Sequence, residues 1–355
     1  MINRILIIVI ALEVVLFLIF LFNFATGAPR SSQKELTPSP SPAISEIELT
    51  GWFAAWDQNL AESSLPKVMQ KFHTFSPMLY RVMSDGSLGR HNIRNRNTMI
   101  MFARKYNIPL APVITDEGDS GRINKLLNDP NTQEKFIQDL INEAIGENFM
   151  GWSIDIEQLN SQDKQAFSRF VKNMSLELHK NNLKLFIIVF ARKEKETYDP
   201  SIAHDYGTIG EYADQVQLMT YNFNNDSTDP GGQAPLEWYR EVLTYATKTI
   251  PKEKILVGLS THGYDWGAEV VGLTYPEVVE IIKQKKLNPT YNVTQSSQMV
   301  SYQDTDGQRH SLWFEDAKTI YEKMKIAMSE FGINKFAFWR ISAEDPKVWD
   351  IVPNN

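Results

Sequence analysis

Met150-Gly151-Trp152-Ser153-Ile154-Asp155-Ile156-Glu157 alternates strictly between apolar and polar residues. That period of two is the signature of a short strand. Trp152, Ile154 and Ile156 fall on one face, and Ser153, Asp155 and Glu157 on the other. Two carboxylates thus share a face at the end of a strand, just ahead of a polar turn from Gln158 to Asp163. Side chains two apart on a strand are about 7 Å apart, close enough for their ionisations to couple. With partial desolvation one carboxyl keeps its proton, as a general acid requires. Taken alone, the stretch reads more readily as an amphipathic edge strand with solvated acids. The rest of the chain decides between the two.

Strand-like runs recur on both sides of this one: 48–55, 74–82, 110–115, 183–191, 215–221, 255–259 and 335–339. Amphipathic helical stretches separate most of them, at 62–71, 95–106, 133–147, 162–180, 235–248 and 314–331. Eight strands alternating with helices predict an α/β fold, a parallel sheet closed into a (β/α)8 TIM barrel. An open doubly wound sheet would call for a Gly-rich phosphate turn after an early strand, and there is none. Residues 267–312 are too long for a βα loop. They carry a helical run at 275–285 and a turn at Asp304-Thr305-Asp306-Gly307, and predict a small insertion after the seventh strand that walls the cleft. In such barrels sites form at the C-terminal ends of the strands, which places Glu157 at the rim and Asp155 one layer deeper.

The chain has 355 residues, 43% of them hydrophobic, enough for a large core. Its net charge of −7 and scattered basic residues argue against a nucleic-acid partner. With no cysteine, disulfides, thiolate metal sites and thiol catalysis are excluded. The six histidines lack paired ligand spacing, so no metal or other cofactor is implied. Ile5 to Phe22 is apolar apart from Glu13 and would span roughly 27 Å as a helix. Residues 1–28 therefore predict a transmembrane anchor or signal segment, the length favouring an anchor over cleavage near Thr26-Gly27-Ala28. Residues 29–45, rich in Pro and Ser, predict a linker, and 46–355 the barrel. The membrane is thus a predicted partner, with the barrel outside the cytoplasm. Oligomeric state is not legible.

Other strand ends supply further candidates. The sixth strand alternates to put Gln217, Met219 and Tyr221 on one face, followed by Asn222. A tyrosine there is a donor within reach of a ligand, or a packed aromatic. Trp339 ends the eighth strand, where an indole can floor a sugar or fill a core. Trp52 comes from the first strand, Tyr80 from the second, Arg192 from beyond the fifth, and His262 from the polar-aromatic stretch after the seventh. With Ser153, Met219 and Asn222 they make up the candidate substrate-binding set. Carboxylates and aromatics at many strand ends point to carbohydrate.

These motifs together resemble glycoside hydrolase family 18, the chitinase-like barrels, and within it the bacterial spore-cortex-lytic and envelope-associated branch. The resemblance covers nearly all of residues 48–350. The family's Asp-Gly-x-Asp-x-Asp-x-Glu falls on residues 150–157, with Met150 and Ser153 in place of the first two acids. Its Met-x-Tyr falls on Met219-Thr220-Tyr221, its Gly-Tyr-Asp-Trp on Gly263–Trp266, and its last-strand Trp on Trp339, with Glu344-Asp345-Pro346 following. The resemblance implies a retaining glycosidase acting on β-linked N-acetylglucosamine-containing glycans, chitin-like or peptidoglycan, in which the substrate's own acetamide attacks. Glu157 would be general acid and base, Asp155 would orient the acetamide, Tyr221 would bond its oxygen, and Trp339 would floor the sugar. Where the family has an acid, Ser153 would donate to Asp155 and favour its ionised form. Asn222 and His262 replace an Asp and an aromatic. A catalytically weak, lectin-like barrel at the cell envelope is the alternative.

Overall fold

The computed structural model describes residues 47–352. The predicted membrane segment and linker lie outside the described residues. Among those described, no helix is long and apolar enough to cross a membrane.

Eight parallel strands close on themselves. They are β1 (Glu48–Phe53), β2 (Thr74–Val82), β3 (Val113–Thr115), β4 (Gly151–Asp155), β5 (Lys184–Phe190), β6 (Gln215–Met219), β7 (Ile255–Ser260) and β8 (Lys335–Trp339). Each pairs with its chain neighbours, and β1 pairs with both β2 and β8, which closes the barrel. Every strand predicted from alternation is present. The third is shorter than 110–115 predicts: Leu110 makes a single bridge to Phe75, and Pro112, lacking an N–H, precedes the regular pairing.

Alternation sorts the strand residues into two cores. Trp152, Ile154 and Ile156 face outward into the layer between barrel and helices, all within 1% of full burial. Each such side chain contributes about 1.5–3 kcal/mol, which fixes the register of β4 and leaves Ser153 and Asp155 facing inward. The interior holds a separate cluster that includes Trp52, Met78, Val113, Ile188, Met219 and Tyr221. Trp52 crosses the barrel, its indole N–H donating to Gln217 Oε1 at 3.2 Å. Gly258 on β7 makes room for it: a Cβ there would lie 2.7 Å from both the Trp52 ring and the Leu218 carbonyl.

The insertion is larger than predicted. It is a five-stranded antiparallel sheet that begins at His262–Trp266 and ends at Arg309–Phe314, with the helix Tyr275–Lys285 between its strands. The stretch 262–266, expected in a loop, is a central strand of that sheet. Gly263 permits the pairing, since a Cβ there would stand 2.3 Å from the Trp313 carbonyl. The turn at 304–307 joins Ser297–Gln303 to Arg309–Phe314 as the sequence predicts. Helices Ser120–Asn128, Asp199–Ala203 and Tyr206–Tyr212 were not anticipated, being short or broken by glycine and proline.

Candidate active site

Regular pairing of β4 stops at Asp155, and Glu157 follows two residues later on the same face. The chain between them is held from both sides. Asp116, the residue after β3, accepts the N–H groups of Glu157 and Gln158 on one carboxylate oxygen, at 2.7 and 2.6 Å. Its other oxygen accepts the Gly118 N–H at 3.1 Å. From the opposite side His204 accepts the Phe190 N–H on Nδ1 and donates from Nε2 to the Ile156 carbonyl, at 3.1 Å each. Burial keeps the His204 ring neutral, its pKa lowered to about 4, so the tautomer these bonds require is the one present. A side-chain carboxylate thus prolongs the strand ladder where backbone pairing ends.

Three carboxyls therefore crowd together. Burial first, then the charge of Asp116, pushes Glu157 up to about 7. Burial, Glu157 and Asp116 hold Asp155 well above the usual carboxylate range. Oδ1 of Asp155 has no hydrogen-bond partner among the described residues. This corrects the expected bond from Ser153. The Ser153 hydroxyl lies fully buried against that of Ser76 at 3.4 Å, one layer below the cleft, and the site favours a protonated rather than an ionised Asp155. Burial and the two carboxyls also raise Tyr221, so its hydroxyl keeps its proton and can donate.

Two cavities, of about 820 Å³ and 520 Å³, meet at these groups. Met78, Asp155, Glu157 and Trp339 line both. Trp52, Met219, Tyr221 and Asn222 line the larger one, so the structure brings together most of the predicted set. Trp339 stands edge-on to Trp52 at 6.3 Å. The insertion contributes Tyr264 to the wall, and the Trp266 indole N–H ties that sheet to the Thr228 carbonyl at 2.9 Å.

Besides Ser153, three predicted residues lie elsewhere. A register irregularity in β2 between Met78 and Tyr80 reverses the alternation, so Met78 faces the cleft and Tyr80 faces out. Tyr80 is fully buried against Trp152 and bonds Glu143 and Arg96. Arg192 also turns outward, its guanidinium over the Tyr245 ring at 5.3 Å and bonded to the His204 carbonyl. His262 lies behind the cleft: Nε2 meets Asn222 Oδ1 at 3.1 Å and Nδ1 meets the Ser260 hydroxyl at 3.0 Å. Burial lowers its pKa to about 4, so it is neutral. It braces Asn222, which holds a left-handed backbone at φ 60°. Asp116 is the residue the sequence reading missed. Its one signal was an acid directly after a strand, followed by Glu117-Gly118.

Comparison with known proteins closes the question of family. Residues 48–344 match the glycosyl hydrolases family 18. The chain belongs to that family. It is 28% identical over 264 residues to the uncharacterized glycosylase YvbX of Bacillus subtilis (strain 168), covering 71% of this chain and 76% of YvbX. It is 28% identical over 265 residues to the cortical fragment-lytic enzyme of the same organism, covering 70% of this chain and 60% of that enzyme. The match thus spans about three fifths of the length of that enzyme. Two solved structures share the fold. A chitinase from Chromobacterium violaceum ATCC 12472 superposes with a TM-score of 0.81 at 23% identity, over 86% of this chain and 98% of that one. The spore cortex-lytic enzyme SleL of Bacillus megaterium QM B1551 gives 0.78 at 22% identity, over 87% and 75%. Family membership makes the chain a glycoside hydrolase and implies glycans that contain N-acetylhexosamine, such as chitin or peptidoglycan, as substrates.

Proposed function

We propose that this family 18 enzyme cuts β-linked N-acetylglucosamine-containing glycans with retention, by substrate-assisted catalysis. One observation carries the reading: Asp155 and Glu157 share one face at the junction of the cleft, and both carboxyls are held above their usual range. Glu157, at about 7, has a proton to give near neutrality and is basic enough to take one back from water. In the first step Glu157 protonates the glycosidic oxygen while the substrate's acetamide oxygen bonds the anomeric carbon. The sugar–oxygen bond breaks and an oxazolinium ion forms. In the second step the Glu157 carboxylate takes a proton from water, which opens the ring. The unpartnered Oδ1 of Asp155 receives the acetamide N–H. Tyr221 donates to the acetamide oxygen, and Trp339 floors the sugar. Asp116, just past the neighbouring strand, supplies the negative charge that Ser153 lacks. It acts through Glu157 and is a positioning residue.

The apolar run at residues 5–22 supports a further part of the reading, that the barrel works outside the cytoplasm, anchored or released, on envelope or external glycans. Wild type and Glu157→Gln, assayed on chitin oligomers and on purified peptidoglycan, test the function. Turnover by wild type and none by the variant is the expected result. Binding by both with turnover by neither would leave a lectin in place of an enzyme.

A further inference from the structure

The outer wall of the barrel carries a cavity of about 480 Å³ that has no part in the cleft. It runs along the helix Arg96–Lys105, which leads into β3, beside Glu147, the last residue of the helix that leads into β4. Arg96, Arg104 and Lys105 line it, with Glu147 as the one acid. That carboxylate answers three guanidiniums: Arg96 at 2.8 Å, Arg104 at 3.3 Å and Arg90 at 3.8 Å. Glu143 is taken up by Arg90 at 2.6 Å. Among the described residues Lys105 has no carboxylate partner, its Nζ lying over the Tyr106 ring. Four cations thus face two carboxylates, on a chain whose net charge is −7. The helix dipole explains only some of them. It favours Arg104 and Lys105 in the last turn, but not Arg96 in a first turn that holds no acid. Arg96 is nonetheless built in. Its side chain is 13% exposed, it donates to the Tyr80 hydroxyl at 2.7 Å, and its Nε has no partner among the described residues. Ile100 and Met101 give the same cavity an apolar lip, Met101 being 53% exposed.

We infer that this cavity docks the phosphate headgroup of an anionic lipid, so that the barrel rests on a membrane surface with its catalytic mouth turned away. This rests on the reading of the apolar run at residues 5–22 as a membrane segment. Guanidinium forks match phosphate oxygens two by two, and a cationic hollow with an apolar lip fits an amphiphile better than a free anion. The position agrees. Lys105 and Glu147 each stand a few residues before a strand begins, toward the end of the barrel opposite Glu157. β1 starts at Glu48 at that same end, so residues 1–47 join the barrel there. Arg96, held by Tyr80 and Glu147, needs no reordering to meet a ligand.

The full chain is placed in nanodiscs of phosphatidylcholine, with or without phosphatidylglycerol, and acetylation of the Lys105 amine is followed by mass spectrometry. Slower labelling in the anionic discs is expected, with the difference lost at high salt. Arg104 is 54% exposed, so Arg104→Gln is expected to keep the wild-type thermal midpoint. It is expected to weaken the contact about five-fold, the worth of one cation at an anionic surface, and to return Lys105 toward its rate in neutral discs. Lys135→Gln removes a cation paired with Asp139 elsewhere on the wall and is expected to leave the protection in place. Equal labelling in the two discs overturns the inference. So does a loss of protection in Lys135→Gln as large as in Arg104→Gln, the mark of a diffuse charge effect. Protection by soluble glycerol phosphate in neutral discs, with none from the anionic lipid, overturns the membrane contact in favour of a free phosphate ester. If neutral discs do not hold the chain, the anchoring reading fails. Capture by anionic discs alone, weakened by Arg104→Gln, then leaves the site standing, and capture by neither overturns it.

Discussion

Asp116→Asn tests how the acid is tuned. Asp116 accepts the N–H groups of Glu157, Gln158 and Gly118, and its charge is the second cause, after burial, of Glu157 standing near 7. Four groups face Glu157: Asp155, Asp116, and the protonated hydroxyls of Tyr198 and Tyr221. Only Asp116 brings negative charge, since Asp155 keeps its proton. Asparagine keeps the shape of Asp116 and removes its charge. Burial remains, so Glu157 should settle between its ordinary 4.5 and 7. A like charge within a few ångströms moves a carboxyl by about one pH unit or more. With a shift of about one unit, the protonated fraction at pH 7 falls from about a half to about a tenth, a roughly five-fold loss. At pH 5 the acid is largely protonated in both proteins, so any difference there measures the lost backbone bonds instead. The assay is kcat/KM against pH, from 4 to 9, on an aryl chitobioside. The alkaline limb should move to lower pH in the variant, the limits belonging to the coupled pair and not to one residue. A uniform drop at every pH, with the limb unmoved, would show that Asp116 acts as a brace alone.

Stability offers a second readout of the same proton. Because Glu157 is raised from 4.5 to about 7 on folding, the folded protein binds the proton more tightly than the unfolded chain. Stability is therefore lost as pH rises from 4.5 through 7. Glu157→Gln escapes that loss and should be the more stable protein at pH 8, by on the order of 3 kcal/mol, with the gap closing by pH 4.5 in denaturant titrations. Tyr221→Phe removes the donor to the acetamide and should cost about a hundred-fold in kcat with little change in KM; an unchanged kcat removes Tyr221 from the mechanism. Lys323 and Glu315 form a buried pair at 2.7 Å, and Lys323 also donates to the Ser296 carbonyl. Lys323→Met strands the Glu315 charge and should destabilise by about 3–5 kcal/mol, whereas the double change with Glu315→Gln should recover most of it. Gly258→Ala should press on Trp52 and cost about 1–3 kcal/mol, seen as a lower thermal midpoint.

The barrel was legible because period-two alternation is a local property. Trp152, Ile154 and Ile156 had to face the helices for burial, and that forced Asp155 and Glu157 inward. Met219, Tyr221 and Trp339 followed by the same rule at the ends of β6 and β8. Tyr80 did not, since an irregularity of one residue in β2 reverses every side chain beyond it, and nothing in Met78-Leu79-Tyr80 announces one. Arg192 and His262 lie past strand ends, where alternation no longer sets direction. Asp116 is 41 residues from Glu157 and meets it only because β3 and β4 are neighbours. Its role is a product of strand pairing, not of any motif: the charge absent from β4 is supplied across the sheet.

In the proposed reaction the substrate's acetamide is the nucleophile and Glu157 the acid. Rates on aryl chitobiosides carrying acetyl and trifluoroacetyl groups on the nitrogen of the sugar to be cleaved test it directly. Fluorine weakens the amide oxygen as a nucleophile without altering the leaving group or the proton Glu157 must give. kcat/KM is expected to fall steeply with fluorination. Equal rates on the two substrates would contradict it.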